Sequence, residues 1–146
     1  MNHSWNYYRK LYAHPGKTVF YALRKVKPKQ HDAIIAIHAI YREIYAILFK
    51  CHEPSVARIR LQWWRDEISK LYAGNAQHVV CQTLHPHLIE YSLNKHLFFD
   101  LILFLFNFKK FIISNQSTNY WNSRIYGFLF LTHVLSIFKY TQKSKT

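Results

Sequence analysis

An all-α fold is what this sequence predicts, and three observations carry that expectation. The 146 residues include only three Gly and four Pro, too few to punctuate a β-rich chain with tight turns. Apolar residues recur three and four apart, most clearly at Ile34, Ile37, Ile40, Ile44 and Ile47, the period of a helix face. Large side chains are abundant: hydrophobic residues make up 50% and aromatics 18%, which supports a packed core and excludes disorder of the whole chain. The length suits one domain, and residues 1–146 are read as one.

Taken in order, residues 1–31 contain seven Lys or Arg and no acid, including Arg24, Lys25, Lys27 and Lys29. The segment reads as a solvated basic arm or, more sharply, as an anion-binding lip. It lacks the apolar core of a secretory signal and the Ser/Arg richness of a mitochondrial presequence. A helix capped by Asp32 is expected through Phe49. Pro54 then opens a second, because Pro is tolerated in a first turn and breaks what precedes it. That helix is predicted to run to about Ala73, with Ile59, Trp63, Ile68 and Leu71 near one face and Gly74 stopping it. Separate segments follow over Gln77–Leu84 and Pro86–Asn94. From Phe98 onward the character changes, with nine of the eleven Phe and a single acid, Asp100. The apolar stretches Leu97–Ile113 and Ile125–Phe138 fall short of the roughly 20 residues of a spanning helix. They read as core helices in preference to interfacial ones.

Twenty Lys and Arg against seven Asp and Glu give a formal charge of +13, which favours anionic partners. Nucleic acid is not expected, since that reading would rest on charge alone. Scattered Gly exclude a P-loop or dinucleotide loop. Cys51 and Cys81 form no disulfide framework, which fits a reducing compartment. His85 and His87 lack further ligands at metal spacing, and the adjacent Cys51 and His52 are poorly placed to orient one another as nucleophile and base. Of Trp63 and Trp64, at least one belongs to the core.

A more specific signal is the stretch Ala57-Arg-Ile-Arg-Leu-Gln-Trp-Trp-Arg-Asp-Glu-Ile-Ser-Lys-Leu-Tyr-Ala-Gly74. It resembles the Leu-x-Trp-Trp-Arg-x-Glu-Ile…Tyr-x-Gly segment of bacterial squalene/phytoene synthases. Pro15–Leu23 is similar to that family's opening Gly-Ser-Ser-Phe-Tyr-Tyr segment, and Ala33–Ile44 to its Ala-Ile-x-Ala-x-Tyr-Ala-Phe-x-Arg-Glu helix. Gln77-His78 followed by Thr83-Leu84 matches its His-Pro-Val…Leu stretch. The resemblance spans residues 14–102, with residues 103–146 a divergent Phe-rich tail showing only hints at Arg124-Ile125 and Ile137–Tyr140.

The resemblance implies a partial isoprenoid-synthase helical bundle. It also implies a prenyltransferase that joins two prenyl diphosphates head to head, with two aspartate-rich motifs holding Mg²⁺. Hard oxygen ligands are needed there because the leaving diphosphate is highly charged, while aromatic walls shield the allylic cation. At the positions matching the first motif, Asp-Asp-x-x-Asp, stand Tyr45, Ala46 and Phe49; at those matching Asp-Gly-x-x-x-Asp stand Leu103 and Phe108. No carboxylate remains at any of them. The expectation is therefore a truncated, decaying family member, inactive or severely impaired, with no cofactor as it stands. By resemblance the residues retained for a prenyl diphosphate are Thr18, Tyr21, Tyr41, Arg42 and Arg65, with Tyr45 lining the cavity. A plainer role for Arg65 is pairing with Asp66 or Glu67 on a solvated helix face.

The alternative is a non-catalytic binding or assembly protein, as among the superfamily's respiratory complex I assembly factors. It would dock on an anionic membrane through its basic arm and Phe-rich tail, in the cytoplasm or at the inner face of a membrane. Missing helices would leave the apolar faces of Ala33–Phe49 and Leu97–Ile113 bare, favouring oligomers or aggregation.

Overall fold

The structure, a computed structural model, describes residues 3–114. They form six α-helices and one 3-10 turn, with no strand among the described residues. Helix α1 spans His3–Tyr12, α2 Thr18–Leu23, α3 His31–Lys50, α4 Pro54–Ala73, α5 Val79–Glu90 and α6 Lys95–Ser114, and the 3-10 turn Pro28–Gln30 leads into α3. The expected all-α partial bundle is what forms. The stretch 125–138, the motif hints beyond residue 114 and the Phe108 side chain lie outside the described residues.

Helix α3 is the axis of the molecule and packs against each of the other five helices. Its run Ala33–Tyr41 is buried throughout, as are Ile44, Ile47 and Leu48. The Ile stripe is thus part of a helix whose first half, Ala33–Tyr41, is buried on every side. This corrects the expectation of a bare α3 face, since its neighbours cover it. Asp32 is not the cap either. Gln30 holds that position without a side-chain bond, while the Asp32 carboxylate accepts from Arg9 Nε at 2.8 Å. In the first turn it still meets the positive end of the helix.

Residues 3–12 are no solvated arm. Helix α1 packs on α3 and α5 and buries Trp5, while α2 buries Val19 and Leu23. Arg9 and Lys10 lie on α1, while Lys17, Arg24, Lys25, Lys27 and Lys29 lie in the segments that flank α2.

Helix α4 begins at Pro54 and ends at Gly74, whose φ of 79° is the left-handed value that Gly adopts freely. The Asn75 amide closes back on the Lys70 carbonyl at 3.0 Å, which satisfies a terminal acceptor. Its buried face differs from the expected one. Trp64, Glu67, Ile68 and Leu71 point inward, whereas Ile59 is 71% and Trp63 42% exposed.

The two segments expected on either side of Pro86 are one helix, α5. Val80, Cys81, Leu84 and Leu88 lie on a single buried stripe that runs past the proline, so packing holds the helix together where propensity would break it. Pro86 itself is exposed, where water can replace the bond its ring forfeits. Ser92, at φ 49°, takes the left-handed place after α5. Leu93 N–H reaches the Leu88 carbonyl at 2.9 Å and Ser92 N–H the Ile89 carbonyl at 3.3 Å.

Helix α6 turns Phe98, Ile102 and Leu105 into the core and leaves Leu103, Phe104 and Phe106 exposed. No helix among the described residues is long and apolar enough to cross a membrane.

Candidate functional site

The second half of α3 carries the positions where chemistry is expected. Its Arg42 guanidinium lies over the Tyr45 ring at 5.4 Å. Tyr45 in turn stacks on Phe49, with ring centroids 4.4 Å apart and planes at 22°. The i, i+4 spacing that would place two carboxylates on one helix face here places two aromatic rings. Tyr41 approaches Tyr45 at 5.9 Å but is itself buried, at 2% exposure, and belongs to the core as much as to any cavity wall.

Around this stack the fold assembles Tyr8, Tyr12 and His38, which the sequence reading did not single out, with Glu43 and His78 from the matching segments. The Tyr8 hydroxyl donates to Glu43 Oε1 at 3.5 Å. The Tyr12 ring meets His38 edge-on at 5.0 Å. Burial and the Glu43 carboxylate push the Tyr8 hydroxyl up to about 12. Burial holds His38 down at about 3, with Arg42 adding to the effect. His78 packs among Tyr8, Trp63 and Trp64, and its Nδ1 accepts from Val80 N–H at 3.3 Å, capping α5. Burial lowers its basicity, against the pull of Glu43 and Glu67. The sequence signals for this cluster were the i, i+4 pair Tyr8 and Tyr12, in a segment read for its charge, and the matches at Gln77-His78 and Trp63-Trp64.

Arg65 does not pair with its acidic neighbours. Its guanidinium lies over the Phe99 ring of α6 at 5.5 Å, and Lys95 approaches the same ring at 5.2 Å. Asp66 accepts from Gln62 instead, at 2.9 Å. Glu67 is fully buried and accepts the backbone N–H groups of Gln77 and His78 at 2.6 Å each. Trp64, Glu67 and Ile68 therefore shape the α4–α5 corner, so the longest matching motif has a structural role.

Thr18 and Tyr21 are exposed on α2, and the ring partner of Tyr21 is its neighbour Phe20. The fold does not bring either to the Arg42–Tyr45 stack. Leu103 is 58% exposed, so position 103 is not directed at α3. An open cleft of about 530 Å³ lies beside the same half of α3, lined by Glu43, Ala46, Lys50, His52, Glu53 and Arg60 among others. Its opposed charges select neither cation nor anion.

The sequence match to the squalene/phytoene synthase family model covers residues 12–103. The chain belongs to that family. No curated protein matches the chain, and no solved structure does. The family implies Mg²⁺, and the side chains present do not fit it. The α3 positions offer a hydroxyphenyl, a methyl and a phenyl group where hard oxygen ligands are needed. No group of three His, Cys, Asp or Glu among the described residues is arranged to hold a metal ion. Arg42, half-buried, and the exposed Arg65 remain as cations suited to a diphosphate.

Proposed function

We propose that this squalene/phytoene synthase-family protein does not carry out the family's Mg²⁺-dependent head-to-head condensation. The Tyr45–Phe49 stack supports the reading. A departing diphosphate carries several negative charges, and without metal-bridging carboxylates its charge must be met by side-chain cations alone. On α3 that leaves Arg42, whose face is already covered by Tyr45, and Lys50 at the end of the helix. What the family contributes is at most a prenyl diphosphate as ligand, and Arg42 is the residue to hold it. In this reading the bundle serves as a binding scaffold without turnover.

The test is direct. The protein is incubated with farnesyl or geranylgeranyl diphosphate and Mg²⁺, and released diphosphate is measured. The expected release equals that of a protein-free control; release above the control that chelation abolishes would overturn the proposal.

A further inference from the structure

We propose that the outward face of α2 and the turn after it form a docking surface for anionic lipid bilayers. The inference is independent of the proposed loss of condensation. At 100° per residue, Tyr21 falls on one side of α2, flanked by Lys17 at the N-cap and by Arg24 and Lys25 in the turn that follows Leu23. Val19 and Leu23, at 1% and 6% exposure, fall on the other and fix the helix to the core. Lys27 extends the basic face into the following turn, and all five outward residues are exposed.

These cations are not consumed internally. All seven Asp and Glu lie within the described residues, and their Lys and Arg partners in ion pairs are Arg9 and Lys29. Lys17, Arg24, Lys25 and Lys27 therefore face solvent without a carboxylate, on a stretch of chain that has none before Asp32. Tyr21, 55% exposed, stands in their midst. An aromatic ring with a polar tip suits the headgroup level of a bilayer, and fixed cations around it suit acidic headgroups. A helix face provides no groove to track a nucleic-acid strand, so a lipid plane is the better fit.

The full-length protein is mixed with vesicles of phosphatidylcholine alone or of phosphatidylcholine and phosphatidylglycerol in equal parts, and bound protein is measured after flotation. Binding is expected only to the anionic vesicles and is expected to weaken with salt. The double variant R24Q/K25Q should lower the partition coefficient about 25-fold, at about fivefold per charge. R58Q/R60Q, which removes the same charge from exposed sites on α4, should change it by far less. Y21S should weaken binding at low and high salt alike. Circular dichroism checks that each variant is folded. Equal losses in the two double variants would assign the effect to net charge and overturn the proposal. So would equal binding to both vesicle types, or retention by RNA with none by vesicles.

Discussion

Glu67 shows how one residue can join two helices. Its carboxylate takes two backbone N–H groups at 2.6 Å from the start of the α5 corner, and bonds to a charged acceptor are worth about 1.5–3 kcal/mol each. Glu67→Ala would strand both donors in the interior, and the expected loss is about 3–5 kcal/mol in chemical denaturation. Glu67→Gln keeps one good acceptor and should lose less. Ser92 is the opposite case. It sits at φ 49° where Gly is unstrained, so Ser92→Gly should raise stability by about 0.5–1 kcal/mol. His38 supplies a pH dependence. Its native-state pKa lies at about 3, against 6.5 for the free side chain, so the unfolded chain takes up the proton first as pH falls. Stability is lost from pH 6.5 downward, by up to about 1.4 kcal/mol per pH unit for this group. Burial is the larger cause, and the Arg42 charge acts in the same direction. Between pH 7 and pH 5, His38→Phe should lose about 2 kcal/mol less than the parent.

At the scale of elements, α3 and α6 pack together, yet α6 turns Leu103 outward. Restoring carboxylates therefore has a restricted effect. Tyr45→Asp with Phe49→Asp would put two carboxylates on one face of α3. Adding Leu103→Asp should bring no further Mg²⁺ affinity by calorimetry, because position 103 faces away from α3. A marked tightening in the triple variant, with its folding checked by circular dichroism, would refute this geometry. The rest of the element scale was largely legible. Pro54 and Gly74 bound α4 as expected, because a missing N–H and a free φ act locally. Pro86 misled for the same reason: its local effect is real, but the buried stripe of Leu84 and Leu88 outweighs it.

At the scale of the whole molecule, α3 is the common partner of every other described helix. Removing volume from it should loosen them together. Ile40, fully buried, is the test: Ile40→Ala should cost about 2–5 kcal/mol. Trp fluorescence, measured with Trp121→Phe in place so that it reports on Trp5 in α1 and on Trp63 and Trp64 in α4, should shift together with far-UV circular dichroism. Separate transitions would mean that α1 and α4 unfold independently of α3. The enclosure of α3 also removes one of the two apolar faces on which an oligomer was expected.

The sequence by itself determined the helical class, the ends of α3 and α4 to within a residue, the family, and the lack of carboxylates at Tyr45, Ala46, Phe49, Leu103 and Phe108. These rest on composition, period and motif, all properties of the chain alone. Only the tertiary structure decided that Trp64 and not Trp63 is buried, that Glu67 is a buried acceptor, and that α2 turns Tyr21 and its cations outward. A helical period shows which residues share a face, but which face turns inward depends on the neighbouring helix. A carboxylate such as Glu67 can be buried only because the chain returns with two N–H donors at Gln77 and His78, a pairing that no local pattern encodes.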